Sequence, residues 1–488
     1  MLPKRKKLKE IRDKHITVVG LARSGVGTAN LLAELGADVT VTDMKTKDML
    51  MDFVPNLNPA IKLALGTHAE DLFVSADMIV ISPGVPPGIK PLVLARSSGI
   101  PVIGEIELAY QAAVLGFDDP PVSPFIKGRA GVFLAVTGTN GKSTTTALLD
   151  FMMKKGGFNT ILGGNIGNAM TGEIFSRITA HEDQKTDFFV AEISSFQLEA
   201  IQSFRPKGAA LLNITPDHLD RYHSIEKYAA AKARIFENQG EGDFLVLNRD
   251  DPETIKTGDE KLKGKKANPR IVYFSRREEV EGVYLKDGRI YCNIPGAIPV
   301  PRQSLLIKAD EIRIKGVHNL ENAMAAAAMA LLAGCPVQAV IDSLKEFPGL
   351  EHRLEPVREL NGIRYINDSK GTNVGAVLKS VESFSSPIIL IAGGRDKAGD
   401  FSLLRDVVKE RVKSLVLIGE AREKIYKALG DLTETVRAAS LKEAVEISRK
   451  IAASGDIILL SPACASFDMF TDFEDRGRQF KKIVMELK

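Results

Sequence analysis

The stretch Val132-Phe-Leu-Ala-Val-Thr-Gly-Thr-Asn-Gly-Lys-Ser-Thr-Thr-Thr146 decides the fold at the centre of this chain. An apolar run rich in strand-forming residues passes into a glycine loop, and a helix is predicted to begin at Lys142. Backbone N–H groups at a helix N-terminus, together with the helix dipole, form a phosphate-binding cradle. The strict pattern G-x-x-x-x-G-K-[ST] is not met, because Val136 stands where its first glycine belongs. The sequence therefore predicts a variant P-loop, with a purely structural turn as the alternative.

The residues of this loop have distinct predicted roles. Gly138 and Gly141 let the backbone approach the phosphates, and Lys142 reaches the β- and γ-phosphates of ATP. A hydroxyl of Ser143 or Thr144 is suited to hold Mg²⁺. The predicted ATP-binding loop comprises Gly138, Thr139, Asn140, Gly141, Lys142, Ser143 and Thr144.

The same local pattern recurs along the chain: a β-branched run, a glycine turn and an amphipathic helix. Such alternation predicts α/β domains built on parallel sheets, with ligand sites at the carboxyl ends of the strands. A length of 488 residues exceeds a single core and indicates about three domains. Turn-rich breaks predict a Rossmann-like domain over 1–127, a P-loop ATPase-type domain over 128–347 and a second Rossmann-like domain over 348–488.

Several strands and two helices follow from hydrophobic periodicity. The predicted strands are Ile16–Gly20, Asp38–Thr42, Met78–Ser82, Val132–Thr137, Phe188–Ile193, Ala209–Ile214, Phe244–Asn248, Ile363–Asn367, Pro387–Ala392, Ser414–Ile418 and Asp456–Ser461. The predicted helices are Gly25–Leu35 and Asn319–Leu332.

Composition excludes several classes of protein. The net charge of +3 is too small to indicate a nucleic-acid surface. No apolar run reaches the roughly 18 residues of a membrane span, and the basic opening does not continue into a convincing signal peptide, so we expect a cytoplasmic protein. We interpret this basic N-terminal segment, the basic lead-in, as solvent-exposed chain or, alternatively, as an amphipathic contact helix. Cys292, Cys335 and Cys464 are widely separated, which argues against disulfides and zinc sites.

Polar residues follow two predicted strands of the central domain. Glu192 ends an apolar strand beside the P-loop and is a candidate Mg²⁺ ligand, with a satisfied strand-end acid as the alternative. His218 lies between Asp217 and Asp220 in a loop after another strand, which favours a metal role over a structural one. From its local sequence alone, Lys232 is predicted to be an ordinary solvent-exposed lysine on a helix.

The first domain contains a gapped relative of the dinucleotide fingerprint. Gly20-Leu21-Ala22-Arg23-Ser24-Gly-Val-Gly27 follows one predicted strand, and Asp43 follows the next. This position suits a diphosphate or a nucleotide. Ser82-Pro83-Gly84 ends a further strand and either borders the same crevice or forms a plain turn.

The third domain has three loops at predicted strand ends. They are Asn367-Asp-Ser-Lys-Gly-Thr-Asn, Gly393-Gly-Arg-Asp-Lys and Ser461-Pro-Ala-Cys-Ala-Ser-Phe-Asp. Lys370, Thr372, Lys397 and Ser466 can converge there on a carboxylate-rich substrate. Arg353 lies near the junction between the second and third domains, where an arginine can swing onto the phosphates.

With these loops the chain resembles the Mur ligase family, which includes the folylpolyglutamate synthases. The motifs that carry the resemblance are the P-loop, Gly164-Asn165-Ile-Gly, Asn213-Ile-Thr-Pro-Asp-His-Leu-Asp-Arg-Tyr, Gly316-Val-His-Asn-Leu-Glu-Asn and Glu351-His-Arg. Within the family, the 367–373 and 461–468 loops look most like those of the member that adds D-glutamate to UDP-N-acetylmuramoyl-L-alanine. The Asp-Asn-Pro-Arg stretch associated with the diaminopimelate-adding member is absent.

The resemblance implies a role for each candidate residue. The residues implied to bind the UDP part of the substrate are Leu21, Ala22, Arg23, Ser24, Asp43, Ser82, Pro83 and Gly84, with Asn165 near the muramoyl-alanine. The residues implied to bind the nucleotide besides the P-loop are His318, Asn319, Asn322 and Arg353. The implied ligands of two Mg²⁺ ions are Thr144, Glu192, His218 and Lys232 as a carbamate. The residues implied to bind D-glutamate are Lys370, Thr372, Lys397, Ser466 and Phe473.

The implied reaction is ATP-dependent amide formation through an acyl phosphate, with Lys142, His218, Lys232 and Arg353 as catalytic residues. We expect a monomer without nucleic-acid partners. Two departures from the family pattern are Arg23, where a smaller residue is usual, and Gly371 in place of an alanine. The alternatives are folylpolyglutamate synthase, a P-loop ATPase without ligation, and a dinucleotide-dependent oxidoreductase.

Overall fold

A computed structural model describes residues 11–115, 131–180, 186–296, 304–396 and 399–488. The basic lead-in, the predicted boundary near residue 127 and Lys397 lie outside these ranges. Helices long and apolar enough to cross a membrane do not occur within them. Three sheets organise the described residues, and each is flanked by helices, as the α/β prediction required.

The first sheet is wholly parallel, with the order β3-β2-β1-β4-β5. Its strands are β1 (His15–Val19), β2 (Asp38–Asp43), β3 (Lys62–Leu65), β4 (Met78–Ile81) and β5 (Val102–Gly104). Its helices are α1 (Arg23–Glu34), α2 (Asp71–Val74), α3 (Lys90–Ser97) and α4 (Glu105–Tyr110). The strand order reverses between β1 and β4, which is where parallel sheets of this kind open a ligand crevice.

The second sheet has nine strands, in the order β14-β13-β12-β11-β10-β9-β6-β8-β7. Its strands are β6 (Val132–Thr137), β7 (Thr160–Gly164), β8 (Phe188–Glu192), β9 (Gly208–Leu211), β10 (Phe244–Asn248), β11 (Arg270–Ser275), β12 (Gly282–Lys286), β13 (Arg289–Asn293) and β14 (Ser304–Lys308). The helices of this part of the chain are α5 (Lys142–Lys155), α6 (Met170–Thr179), α7 (Ser195–Leu198), α8 (Leu219–Tyr222), α9 (Ile225–Ala233), α10 (Pro252–Leu262), α11 (Val317–Leu332) and α12 (Val337–Glu346). Only the β12–β14 end is antiparallel. The loops after β8 and β9 therefore flank the P-loop after β6.

The third sheet has the order β15-β16-β20-β17-β18-β19 and is parallel except for β15. Its strands are β15 (Glu355–Leu360), β16 (Ile363–Asn367), β17 (Ile388–Gly393), β18 (Val412–Ile418), β19 (Glu434–Arg437) and β20 (Ile457–Leu460). Its helices are α13 (Val374–Glu382), α14 (Arg405–Arg411), α15 (Arg422–Leu429), α16 (Leu441–Ile451) and α17 (Phe473–Glu486). The three polar loops predicted for this domain follow β16, β20 and β17, which are neighbours.

The strands bury both of their faces because helices cover each side of the sheet. In β17, Ile388 and Leu390 pack into one apolar cluster, while Ile389 and Ile391 pack into another on the opposite face. The first sheet is divided in the same way between two clusters. This two-sided burial explains why the strands read as continuous apolar runs.

Packing divides the described residues into two compact units. The first comprises the described residues up to Ile214, Glu226–Lys308 and Ala323–Ser343, and therefore holds the first two sheets. The second comprises Thr215–Ile225, Ala309–Asn322 and Leu344–Lys488, and holds the third sheet.

Buried carboxylates join the first two sheets within the first unit. Glu107 of α4 accepts hydrogen bonds from the backbone N–H groups of Gln202, Ser203 and Phe204 at 2.9, 3.0 and 2.9 Å. Glu105 accepts from the backbone N–H of Thr171 at 2.7 Å and from its hydroxyl at 3.0 Å. Because a buried carboxylate is costly unless it is hydrogen-bonded, these contacts hold α4 against the second domain.

The predicted strands and helices are present, with shifted ends. Helix α1 begins at Arg23 rather than at Gly25, because Ala22 adopts an extended conformation and the chain turns helical directly after it. Strand β9 ends at Leu211 rather than at Ile214, since the main chain of Asn213 bonds the P-loop instead of a neighbouring strand. The antiparallel strands β12 to β15 and the parallel strands β3, β5, β7, β11 and β19 were not predicted.

Candidate active site

The P-loop connects β6 to α5 at the centre of the second sheet. Val136 is a buried residue of β6, so the loop begins at Gly138, later than in the strict pattern. Gly138 and Gly141 have φ angles of +154° and +83°, where glycine is favoured over other residues. The Lys142 ammonium donates to the carbonyls of Gly138 at 2.9 Å and Thr139 at 2.8 Å. The loop is thus wrapped around its own lysine.

Asn213 holds the opposite side of this loop from the end of β9. Its carbonyl accepts from the Thr139 N–H at 2.9 Å, and its Oδ1 accepts from the Asn140 N–H at 2.8 Å. Its Nδ2 donates to the Asn140 carbonyl at 3.1 Å. Because the Asn213 side chain bonds both the backbone N–H and the backbone carbonyl of Asn140, it fixes the orientation of that residue and so positions the loop.

Lys232 of α9 is buried and lies against the same loop. Its Nζ donates to the Gly138 carbonyl at 2.8 Å and lies 4.4 Å from the centroid of the Tyr228 ring. The interpretation of Lys232 as a solvated helix lysine is wrong, because the side chain is only 1% exposed. Two ammonium groups, from Lys142 and Lys232, therefore converge on one carbonyl oxygen.

Glu192 is buried at the carboxyl end of β8, paired with Val136 in the neighbouring strand. Its Oε1 accepts from the Asn165 Nδ2 at 2.6 Å, and its carbonyl accepts from the Asn165 N–H at 2.8 Å. Gly164 permits this approach: its φ is +102°, and a Cβ there would lie 2.4 Å from the Glu192 carbonyl. The structure thus brings Asn165 and Glu192 together.

The loop after β1 is braced by the two strands beside it. The Asp43 carboxylate accepts from the Leu21 N–H at 2.7 Å, and the Ser82 hydroxyl donates to the Gly20 carbonyl at 2.9 Å. Gly25 is required here, since a Cβ would lie 2.1 Å from the Gly20 carbonyl. Leu21, Ala22, Arg23 and Ser24 therefore lead into the N-terminus of α1, where backbone N–H groups favour an anion.

The second unit contains the remaining nucleotide candidates. Burial, with a contribution from the charges of Lys379 and Arg353, lowers the pKa of His318 to about 4, so its imidazole is neutral at physiological pH. Asn322 donates to the Asn319 side chain at 3.2 Å. His218 directly precedes α8 with a φ of +52°. Within the described ranges, no group of three or more His, Cys, Asp or Glu residues is arranged to hold a metal.

Arg353 stands in a strained turn of the second unit. The residues on either side of it, His352 and Leu354, have φ angles of +63° and +43°, which non-glycine residues rarely adopt. The His352 ring is buried next to Gly477, where a Cβ would lie 2.2 Å from its Nδ1. The turn is therefore held by packing against α17.

The loops at the edge of the third sheet are held by buried polar groups. The Lys370 ammonium lies 3.5 Å from the centroid of the Phe473 ring. Ser466, two residues after Cys464 in the sequence, is buried. Arg476, fully buried, donates to the Ser369 hydroxyl at 2.9 Å and carbonyl at 2.8 Å, and to the Cys464 carbonyl at 3.3 Å. The arginine thus ties the loops after β16 and β20 to α17.

Sequence comparisons identify the family. Family models match consecutive parts of the chain: the Mur ligase MurD-like N-terminal domain at residues 14–104, the Mur ligase middle domain at 136–330 and the Mur ligase glutamate ligase domain at 352–464. A UDP-N-acetylmuramoylalanine–D-glutamate ligase of Citrifermentans bemidjiense is 47% identical over 477 residues, which cover 97% of this chain and 98% of that protein. The chain belongs to the Mur ligase family. The predicted resemblance and the three-domain α/β fold are confirmed.

Other relatives support the assignment of this chain to the Mur ligase family. An enzyme of the same name from Pelotomaculum thermopropionicum is 42% identical and covers 99% of both chains. Among solved structures, a pseudomurein peptide ligase type C from Methanothermus fervidus has a TM-score of 0.59 at 19% identity, covering 98% of this chain and 100% of that chain. The UDP-N-acetylmuramate–alanine ligase of Thermotoga maritima has a TM-score of 0.59 at 20% identity, covering 97% and 100%. At these identities the two structures support the fold alone.

Two positioning residues of this Mur ligase were missed in the sequence. Asn213 is the first residue of the 213–222 motif that supports the family resemblance, but no role was predicted for the asparagine itself. The burial of Arg476 could have been predicted from the sequence. Arg476 lies on the same face of its helix as Phe480 and Val484, both of which are buried in the core. A charged residue on the apolar stripe of an amphipathic helix predicts a buried, hydrogen-bonded group.

Asp368 should make the stability of this Mur ligase depend on pH. Its Oδ2 accepts from the Ser380 and Ser461 hydroxyls at 2.7 Å each, but burial raises its pKa to about 6 from an ordinary 3.8. The folded chain therefore holds this proton more tightly than the unfolded chain, and the stabilisation present below about pH 4 is lost as the pH rises through 6. Relative to Asp368→Asn, the wild type should lose about 2 kcal/mol of unfolding free energy between about pH 4 and pH 7.

Urea titrations followed by circular dichroism at several pH values measure this difference. Asp406→Asn, which alters an exposed acid on α14, is the matched control and should follow the wild type. Parallel pH profiles for wild type and Asp368→Asn would contradict the predicted linkage.

Proposed function

We propose that this Mur ligase adds D-glutamate to UDP-N-acetylmuramoyl-L-alanine at the expense of ATP, in the synthesis of peptidoglycan precursors. The observation that carries the proposal is the P-loop, with two lysines on the Gly138 carbonyl and Glu192 at the end of the adjoining strand, in a chain 47% identical to a D-glutamate ligase. The proposed reaction is the one that the relative's name describes.

The chemistry explains why such an enzyme needs ATP. A carboxylate is a poor electrophile, so its oxygen first attacks the γ-phosphorus of ATP, giving an acyl phosphate and ADP. The amine of D-glutamate then attacks the acyl carbon and phosphate leaves, which forms the amide bond. Phosphoryl transfer requires mainly positioning and neutralisation of charge. Lys142 is proposed to neutralise the phosphates from the loop Gly138–Thr144.

The oxygen donors around the loop fit a magnesium ion. The Thr144 hydroxyl and the Glu192 carboxylate are hard oxygen ligands of the kind that Mg²⁺ prefers, and both residues are buried. Mg²⁺ bound there would neutralise the negative charge of ATP and the carboxylate substrate. A carbamate on Lys232 would add another oxygen donor at this site. His218, a residue of the second unit, is proposed separately as a metal ligand.

Substrate binding is proposed for the outer domains. The braced loop Leu21–Ser24, with Asp43 and Ser82-Pro83-Gly84, would hold the UDP group, and Asn165 would lie by the muramoyl-alanine. The proposed D-glutamate residues are Lys370, Thr372, Lys397, Ser466 and Phe473. The proposed nucleotide residues of the second unit are His318, Asn319, Asn322 and Arg353. We further propose a monomer working in the cytoplasm.

Release of ADP tests the proposed reaction directly. The purified enzyme is given ATP, Mg²⁺ and UDP-N-acetylmuramoyl-L-alanine with each member of a panel of D- and L-amino acids. ADP should appear only with D-glutamate, together with a product of the expected mass. Equal ADP release without an amino acid would indicate an ATPase without ligation, and activity with folate and L-glutamate would indicate a folylpolyglutamate synthase.

Lys142→Ala should lower kcat at least about 100-fold, because the phosphates lose a preorganised cation in the loop. Lys154→Ala is the matched control on the same helix: that ammonium is exposed and pairs with Asp150 at 2.8 Å. Steady-state ADP release should change less than about twofold in the control. A correctly folded Lys142→Ala variant with undiminished kcat would refute the role assigned to the loop.

Lys232 should react with CO₂ through its amine nitrogen, which forms a C–N bond and releases a proton to give a carbamate. Protein equilibrated with ¹³C-bicarbonate should show a carbamate carbon signal in ¹³C NMR, and Lys232→Gln should lack it. Lys227→Gln, an exposed lysine on the same helix, should retain the signal. A wild type without the signal, or an unchanged signal in Lys232→Gln, would rule out carbamylation at this position.

A further inference from the structure

Helices α1 and α6 touch backbone to backbone. A Cβ at Gly27 of α1 would lie 2.8 Å from the Gly172 nitrogen and 2.9 Å from its Cα. The Thr28 and Thr171 hydroxyls lie 3.4 Å apart in the same contact. Helix α1 belongs to the first sheet and α6 to the second, so this contact joins the two domains of the first unit without an intervening side chain at Gly27.

The contact lies close to two loops of the candidate site. Gly27 is four residues after Arg23, where α1 begins, which is about 6 Å along the helix from the proposed diphosphate loop. Gly172 lies in the first turn of α6, which follows the Gly164–Asn165 loop and its bond to Glu192. The helices are therefore joined at the ends that carry these loops.

Glu105 holds the same end of α6 in place. Its buried carboxylate accepts the Thr171 N–H at 2.7 Å and the Thr171 hydroxyl at 3.0 Å. Gly104, the residue before it, donates its N–H to the Ala200 carbonyl at 2.9 Å. These bonds fix α6 and the segment around Ala200 to β5 and α4 of the first domain, which is the domain that contains α1.

The two glycines are not equivalent. A Cβ at Gly172 would meet only the Gly27 Cα at 3.7 Å, which is an ordinary van der Waals contact. A Cβ at Gly27 would meet backbone atoms under 3.0 Å, which cannot move without moving α6. Gly27→Ala therefore displaces the helices, whereas Gly172→Ala fits the existing space.

We infer that the α1–α6 contact at Gly27 sets the distance between the diphosphate loop and the Asn165 loop, and so determines the length of nucleotide-linked substrate that this enzyme accepts. Gly27 is a positioning residue: a substrate that bridges both loops must match this spacing. The substrate class is a nucleoside diphosphate joined to an acid. The inference rests on the proposed function for the assignment of the two loops.

Kinetics of Gly27→Ala and Gly172→Ala test this inference. In Gly27→Ala, kcat/KM for UDP-N-acetylmuramoyl-L-alanine should fall about 10- to 100-fold, since a misplacement near 1 Å can have such an effect. The inhibition constant of UDP alone and the KM for ATP should stay within about twofold, because each loop remains intact. Gly172→Ala should match the wild type in all three measurements.

The outcomes separate the inference from the proposed function. A wild type without D-glutamate-dependent ADP release, or one that UDP does not inhibit, overturns the loop assignments themselves. An active wild type whose Gly27→Ala variant retains kcat/KM, or loses UDP affinity to the same degree, overturns the spacing role alone. If Gly27→Ala does not fold, Glu105→Asp, which shortens the carboxylate holding Thr171, should produce the same selective loss, about three- to tenfold.

Discussion

The carbonyl oxygen of Gly138 is the acceptor on which the geometry of the candidate active site depends. Lys142 and Lys232 both donate to it, at 2.9 and 2.8 Å, although they come from helices α5 and α9. Two ammonium groups repel each other, so their approach to one oxygen requires a carbonyl that cannot rotate away. The loop meets that requirement because Asn213 bonds the next two residues, Thr139 and Asn140. In the unmodified chain this concentration of positive charge suits a triphosphate and a carboxylate, and the proposed carbamate on Lys232 would replace one of the two charges by a metal-binding anion.

Buried polar anchors recur wherever a loop of the candidate site leaves a sheet. Asn213 holds the P-loop, Asp43 holds the loop after β1, and Arg476 holds the loops of the third domain. Glu105 does the same for α6 at the junction of the first two domains. Each anchor bonds backbone groups, which a helix or strand would otherwise satisfy. Irregular backbone can therefore keep a defined shape in the loops of the candidate site.

Much of the architecture could be predicted from local pattern. The P-loop, eleven of the strands and the polar loops at their ends follow from β-branched runs, glycines and helical periodicity, all of which act over a few residues. The antiparallel strands β12 to β15 and the parallel strands β3, β5, β7, β11 and β19 were not predicted, and the end of β9 was placed three residues late. The end of β9 depends on hydrogen bonds between residues far apart in the chain, as between Asn213 and Thr139. The hairpins β12–β13 and β15–β16 are local instead, and their two-residue turns, Asp287-Gly288 and Asn361-Gly362, carry a hairpin signal that the prediction did not use.

The sequence by itself determined the family, the three α/β domains and the loop that is proposed to hold ATP, because these depend on motifs in which neighbouring residues act together. Only the tertiary structure decided that Lys232 is buried on the Gly138 carbonyl, that Arg476 is an internal anchor and that Gly27 touches Gly172. Local composition cannot distinguish a solvated lysine from a buried one, since burial depends on what other segments place against it. The spacing of the substrate loops is likewise a property of packed helices and of no single segment.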